Sequence, residues 1–442
     1  MIHNGDTATT VSFSEDQIYN AKALGSFFQK LQNNESQNNR RINIVHIGDS
    51  HIQSDLMTNE IRKKLQLKFG NAGRGFIFPY QLAKTNGSYN ERFRSNRTWE
   101  SYRNIYPFRN NPVGLSGIAL WRDNGGFVVE LNVKDPAYKF NSIRVITPQN
   151  QDMFDLATSS KTNVIQTTER KIITHKIKKG EALSTIADKY NVSVLEIKRQ
   201  NRLKSNSIRA GRTLKIATNE TRPKTVSVSE FVSLEVKSDS NSHYYNSEKA
   251  LDRIFLIPNK TASNFELNGL VLEKDTAGLI YSSIGVNGAK FSDYNKYPLF
   301  FEQLKALHPD VLVFSLGTNE SYEKLESDHY IKELRSFIAN IKAQKIDVPI
   351  LVMTPPPSLL RKKPNTYIHD YARQILAIAE KDDFAVWDLY EEFGGMEGIR
   401  KLRVQGLIGP DWVHYSKKGY EKQGKLFSEA LLKAYDNFKS KK

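Results

Sequence analysis

Four short runs in this chain carry residue types that could together perform acyl transfer. Ser50 follows Gly48 and Asp49; Asp411 and His414 stand three apart in GPDWVHYS; Gly288 lies in IGVNGAK and Asn319 in SLGTNE. Acyl transfer needs a nucleophile, a base to take its proton, a group to orient that base, and donors for the developing oxyanion. Ser50 could be the nucleophile and His414 the base, with Asp411 close enough for a turn to set its carboxylate beside the imidazole. Gly288 can bring a bare backbone N–H close to a substrate, and Asn319 can add a side-chain amide. This chemistry needs no metal and no cofactor, and no residue is assigned to hold either. Each run alone says little, because a lone GDS is usually a turn and a D-x-x-H pair is more often structural.

Their value depends on the elements that hold them. Ile42 to Ile47 is apolar and rich in β-branched residues, then breaks at Gly48, which predicts a buried strand ending in a turn. Leu56, Ile61, Leu65 and Phe69 mark one face of a following helix that Gly70 ends. After about two hundred residues the alternation resumes. Strands are predicted at Gly278 to Ile284, Val311 to Leu316, Ile350 to Thr354 and Ala385 to Trp387, with helices near Leu299 to Leu307, Tyr330 to Ala343, Tyr367 to Glu380 and Tyr420 to Tyr435. Five apolar strands separated by helices predict a three-layer α/β/α unit around a five-stranded parallel sheet. Ligands gather at the carboxyl ends of such strands, where most of these runs lie.

The chain has 442 residues, enough for more than one module. A hydrophobic fraction of 39% is that of a folded protein, and no apolar run approaches the roughly 20 residues of a membrane span. The first thirty residues lack the pattern of a secretory signal, so Met1 opens either a cytoplasmic protein or a mature chain. No cysteine is present, which excludes disulfides, thiolate metal sites and a cysteine nucleophile. A formal charge of +16 favours a polyanionic surface such as nucleic acid, anionic lipid or cell wall without choosing among them.

The interruption between the first and second α/β segments has a different texture. Strand-like pieces at Gly126 to Val133, Asn141 to Thr147, Val226 to Val236 and Ser263 to Leu272 predict one β-rich, sandwich-like insert. It is split by a compact basic segment. The expected division is an α/β unit over 1–85 and 275–442, the β-rich insert over 86–170 and 220–274, and the basic module over 171–218. That module reads as strand (Thr174 to Ile177), helix (Ala182 to Tyr190), helix (Val194 to Asn201) and strand (Thr213 to Ile216), a βααβ unit.

Over its whole length, HKIKKGEALSTIADKYNVSVLEIKRQNRL and then IRAGRTLKI, the basic segment resembles the LysM family. The resemblance implies binding of an N-acetylglucosamine-containing glycan such as peptidoglycan or chitin. The groove it implies lies between Gly180, Glu181, Ala182 and Leu183 on one side and Leu203, Lys204, Ser205, Asn206, Ser207 and Ile208 on the other. Nucleic acid is not expected as a partner, because Tyr190 is the only Phe, Tyr or Trp here for base stacking and the cations are spread rather than aligned.

Taken jointly, GDSH, GVNG, GTNE and DWVH follow the order seen in the SGNH (GDSL-like) hydrolases, over about residues 40–80 and 275–440. The wording GDSHIQ, GNAGRGF, SIGVNGA and SLGTNE is similar to that of peptidoglycan O-acetylesterases of Gram-negative bacteria, which carry a β-sandwich ahead of the second run. This resemblance implies a serine esterase removing O-acetyl groups from peptidoglycan, with Ser50, His414 and Asp411 as triad and Gly288 and Asn319 in the oxyanion hole. It also implies a place in the periplasm or cell envelope. The LysM-like module is a departure from that family and favours a peptidoglycan substrate.

Three other readings use the same residues. One is an acetylesterase for a different polysaccharide, another a non-catalytic LysM protein that binds cell wall. The third is a two-metal phosphoesterase using Asp49, His51, Asp55, Asn319 and His414, but Thr318 and Asn319 stand where its GNH[DE] run would need Asn and His. Of the neighbouring polar residues, His51 and His46 read as structural, Asp55 as favoured by a helix N-terminus, and Glu320 as bonded to nearby loops or solvated. Pro355 to Pro357 read as a stiff loop near the pocket.

Overall fold

The computed structural model describes residues 18–161, 165, 169–222 and 230–441. Its central sheet runs Ile18–Tyr19, Ala385–Trp387, Ile350–Met353, Val311–Ser315, Arg41–Gly48, Gly278–Gly285. The last five strands in this order are mutually parallel. The sheet thus has one strand more than the five expected, because Ile18–Tyr19 adds an antiparallel edge against Val386 and Trp387. Two residues are too short to show a period in sequence.

Alternation along Arg41–Gly48 explains why both faces are covered. Ile42 and Ile44 point into a core shared with the helices Gly25–Gln37, Leu56–Phe69 and Lys417–Ser440, through Phe28, Ile61, Leu65 and Tyr435. Val45 and Ile47 point into the opposite core with Phe314, Phe337 and Tyr371, where the helices Ser327–Ala343 and Thr366–Ile378 pack. A strand stretch buried on both faces must be apolar at nearly every position, and here Ile44 to Gly48 are fully buried while Arg41 and Asn43 before them are half-buried. His46 is the one polar side chain in the buried stretch, and its ring bonds Tyr281 Oη at 2.8 Å and Ser315 Oγ at 2.7 Å.

The interrupting residues form two five-stranded antiparallel sheets and a three-stranded one. Inward side chains of both larger sheets, Leu131, Leu156 and Ile254 from one and Ile143, Val145 and Leu272 from the other, share one core. Gly73–Ile77, assigned from sequence to the α/β unit, joins the second of these sheets by pairing with Gly269–Glu273. Phe76 N–H also donates to Ser282 Oγ at 3.0 Å, so this strand straddles insert and central sheet. Of the Val226 to Val236 piece, 226–229 lie outside the described residues, and Val232–Ser233 pairs with Phe154–Thr158.

In the basic segment Glu169–Lys176 pairs antiparallel with Thr213–Arg222, and the helices Leu183–Lys189 and Val194–Asn201 lie between them in sequence. The second helix begins with a capping box: Glu196 N–H donates to Ser193 Oγ, and Ser193 N–H to Glu196 Oε2. Ile177, Leu183, Ile186, Ile197, Leu214 and Ile216 make a core of their own, with Leu203 and Ile208 packed against it.

Candidate active site

The nucleophile turn is built by Asp49. The strand ends at Gly48, and Asp49 caps the short helix Ser50–Gln53, its Oδ1 accepting His51 N–H at 2.9 Å and its carbonyl accepting Ile52 and Gln53 N–H. Ser50 is the first residue of that helix, where an N–H has no intrahelical acceptor. Its N–H has no acceptor among the described residues, and its side chain stands half-buried at the strand's carboxyl end. Gly285 lets the neighbouring strand close on this turn: a Cβ there would fall 2.3 Å from Gln53 N.

The opposite wall is the loop between Leu407 and Ser416. Gly409 N–H donates to His414 O at 2.6 Å, and Ile408 bridges Tyr415. Asp411 Oδ1 accepts the N–H groups of Val413 and His414, both at 3.0 Å. Trp412 between them takes a left-handed conformation, φ 61°, rare for a bulky residue. The tight turn this creates puts Asp411 Oδ2 at 2.7 Å from His414 Nδ1. The ring's other nitrogen, Nε2, is 2.9 Å from Ser50 Oγ. A carboxylate can only accept, so Nδ1 carries the hydrogen and Nε2 is free to accept from the serine hydroxyl.

Asp411 is partly buried, which alone would raise its pKa; the hydrogen bonds from His414 and from the backbone of Val413 and His414 outweigh that and lower it. It is therefore held as the anion. His51 lies beside the pair, its ring 5.4 Å from that of His414, with Nδ1 bonded to Tyr420 Oη at 2.9 Å. Burial pushes His51 down to about 3 and keeps it neutral.

Gly288 has φ 87°, a left-handed conformation open to glycine, and its N–H has no acceptor among the described residues. Its loop is tied to the nucleophile turn, since Gln53 Oε1 accepts Asn287 N–H at 2.6 Å and Val286 N–H donates to Gly48 O at 3.3 Å. The Asn319 amide expected to face the oxyanion is engaged within the protein. Its Nδ2 donates to Ala289 O at 2.9 Å and Asp49 Oδ2 at 3.2 Å, so it can reach an oxyanion only by releasing the longer bond.

Sequence reasoning missed Asp49, which joins the serine turn to Asn319. Asp before a short helix is a common capping signal that could have found it. Asp55 stands at the start of the helix Leu56–Phe69, as expected, and its carboxylate bonds Arg62 at 2.7 Å and Arg74 at 2.8 Å rather than the helix N–H groups. Asp49, His51 and Asp55 thus point to three different partners rather than to one shared centre. Glu320 is buried, not solvated, with Oε1 accepting Phe291 N–H at 2.9 Å. Pro355 and Pro356 line a small cavity with His51 and Gln423.

In the basic segment Gly180, with φ 89°, turns the chain, and Glu181 Oε2 bonds His175 Nε2 at 2.9 Å and Lys178 N–H at 2.7 Å. Ala182, Lys204, Ser205, Asn206 and Ser207 are exposed, and Leu203 and Ile208 half-buried. Leu183 faces inward and is 2% exposed, so it supports the turn instead of lining a groove.

Two buried carboxyls give the site a pH signature. Burial lifts Asp49 from its ordinary 3.8 to about 7, against the His51 N–H and His414, and lifts Glu320 from 4.5 to about 8, against the Phe291 N–H. In this range the folded chain holds protons that the unfolded chain has released, so stability declines as pH rises. The contribution is whole below about pH 4 and is lost as pH passes through 7 and 8. We expect the unfolding temperature to fall between pH 5 and pH 9, and Asp49→Asn or Glu320→Gln to flatten that fall. An unchanged slope in both variants would mean that neither group is protonated in the fold.

Comparison with known proteins agrees with this architecture. The family described as GDSL-like Lipase/Acylhydrolase matches residues 267–422, and the LysM domain matches residues 175–217. No curated protein matches significantly. A solved structure of a peptidoglycan O-acetylesterase in action is 18% identical, covers 96% of this chain and 99% of its own, and superposes with a TM-score of 0.62. At that identity the likeness is one of fold. A lipase/acylhydrolase from Enterococcus faecalis is 20% identical over 34% of this chain and 74% of its own, with a TM-score of 0.28. Among the described residues no helix is long and apolar enough to cross a membrane. The chain is a carboxylic ester hydrolase built on a GDSL-like lipase/acylhydrolase domain, and it carries a LysM domain.

Proposed function

We propose that this chain removes O-acetyl groups from peptidoglycan, most simply from acetylated muramic acid, through a Ser–His–Asp acyl-enzyme mechanism. The observation that carries this reading is the unbroken hydrogen-bonded series Ser50 Oγ, His414, Asp411 at the carboxyl end of the first long strand. His414 Nε2 takes the Ser50 proton as Oγ bonds to the acetyl carbon. The N–H groups of Ser50 and Gly288 hold the oxyanion, joined by the Asn319 amide once it turns from Asp49. Such a donor is worth roughly 3 to 4 kcal/mol where one has been removed. Collapse breaks the ester bond, and His414 returns the proton to the departing sugar oxygen. Water then attacks the acetyl-serine with His414 again as base, and acetate leaves. Asp411 fixes the tautomer throughout.

The division of labour we propose puts this chemistry in 1–85 and 275–442, the β-rich insert in 86–170 and 220–274, and glycan anchoring in 171–218. Exposed Gly180, Ala182 and Lys204 to Ser207 supply the glycan contacts there. Likeness along the whole chain to a peptidoglycan O-acetylesterase, together with the LysM match, supports a cell-wall substrate and hence a place in the cell envelope, the periplasm in a Gram-negative cell. Acetate release from O-acetylated sacculi should exceed release from acetylated xylan by at least about tenfold at equal ester concentration, the low end of what a single apolar contact can discriminate. The reverse order would move the substrate to another polysaccharide.

A further inference from the structure

Besides Asn86, which bonds Gln53 and Asn287, the β-rich insert brings a longer loop to the catalytic site. Between the strands Glu100–Arg103 and Ile118–Arg122 the chain passes Gly288, and the nearest atom to a Cβ built on that glycine is Ile105 Cδ1, at 3.5 Å. The residues that follow turn aromatic side chains outward. Tyr106 and Phe108 are 43% and 62% exposed, while Tyr102 and Tyr297 beneath them are buried. Ring centroids are 5.3 Å apart for Tyr102 and Tyr106, and 5.5 Å for Tyr297 and Phe108. The backbone is pinned on both sides of Pro107: Tyr102 Oη donates to Pro107 O at 2.7 Å, and Lys296 Nζ to Tyr106 O at 3.1 Å. The Arg109 guanidinium lies over the Tyr102 ring at 4.9 Å and joins no ion pair among the described residues.

Adjacent exposed aromatics on a fixed backbone leave apolar area in water that a ligand can cover, and such patches mark binding sites. Their position fixes which part of a ligand that is. With the acyl carbonyl at the Gly288 N–H and an acyl group no larger than acetyl, the space beyond the ester is filled by its alcohol side, which on the reading proposed above is a sugar. A pyranose ring offers an apolar C–H face to an aromatic ring while its hydroxyls stay in water, the same division of apolar body and polar edge that aromatic side chains show. An unpaired guanidinium beside it suits a carboxylate.

We propose that Tyr106, Phe108 and Arg109 form a subsite for the sugar unit next to the ester, taking an acidic sugar in preference to a neutral one. The insert then sets substrate choice for a triad it does not contribute to. This rests on the polysaccharide reading, and the test separates the two. Initial rates are measured for the full chain and for the double variant Tyr106→Ala, Phe108→Ala on O-acetylated peptidoglycan fragments and on p-nitrophenyl acetate. The ratio of kcat/KM on glycan to that on aryl ester should drop about tenfold in the double variant, mainly through KM, because the stacking is made before the transition state. Tyr106→Phe with Phe108→Tyr should restore it. Arg109→Gln should lower the rate on acidic acetylated fragments more than on acetylated xylan. An equal drop on both substrates, which leaves the ratio unchanged, or a drop confined to p-nitrophenyl acetate would overturn the subsite. A wild-type chain that cleaves the aryl ester and no glycan at all would instead overturn the functional reading beneath it.

Discussion

Ser50→Ala should lower kcat for an aryl acetate by roughly ten-thousand- to a million-fold while leaving the unfolding temperature within a few degrees of wild type. The size follows from what remains. Removing Oγ deletes the only nucleophile in hydrogen-bond reach of His414 Nε2 among the described residues, so hydrolysis must proceed by water attack. The N–H donors of residues 50 and 288 survive, because Ala keeps the backbone and Asp49 still caps the turn. The residual rate above background would measure those donors alone. Stability is spared because the lost hydroxyl is half-exposed and its one bond is to a half-exposed ring. A variant within tenfold of wild type, confirmed by mass to carry alanine, would remove Ser50 from the chemistry.

Asp411→Asn should cost roughly a thousand-fold in kcat, and the turn geometry says why an amide cannot substitute. One oxygen of Asp411 accepts two backbone N–H groups and the other accepts from His414 Nδ1. Asparagine has one oxygen. If the turn keeps it, the NH2 group faces Nδ1, which must then give up its hydrogen and accept, so Nε2 carries the proton and can no longer take one from Ser50. The same exchange in a buried triad costs about ten-thousand-fold. Here the carboxylate side chain is 50% exposed, and water can partly replace its support for the ring. Asp411→Ala loses the two turn bonds as well, each worth about 1 kcal/mol, so only the alanine variant should also melt earlier. Wild-type kcat in the asparagine variant would mean that the tautomer is fixed by something else.

What could be read in the chain beforehand follows the range of the interactions. Ile42 to Ile47 announces a doubly buried strand, because its apolar side chains Ile42 and Ile44 on one face and Val45 and Ile47 on the other are all buried in apolar cores. The helices Leu56–Phe69 and Val194–Asn201 are legible from a terminal glycine and a capping serine, signals that act within four residues. Asp411 and His414 are legible as a pair for the same reason, three residues and one turn apart. Asp49 carries the same kind of local signal, a carboxylate one residue before a short helix, while its bond to Asn319 spans 270 residues and is not local. The sheet that Gly73–Ile77 joins is not legible locally, since a five-residue run with two glycines pairs with whichever edge the fold brings to it, and that edge lies about two hundred residues further on.

By itself, then, the order of residues determined the α/β unit, the interruption and the set of polar groups available for ester chemistry, since these depend on local periodicity, capping and residue type. The folded chain decided what those groups face. It buried the Asp49 and Glu320 carboxyls, turned the Asn319 amide onto Asp49, set Leu183 into a core, and carried the Tyr106 loop over to Gly288. Each of these is a contact between segments separated by tens to hundreds of residues, whose partners are chosen by packing and desolvation and leave no periodic mark on either segment.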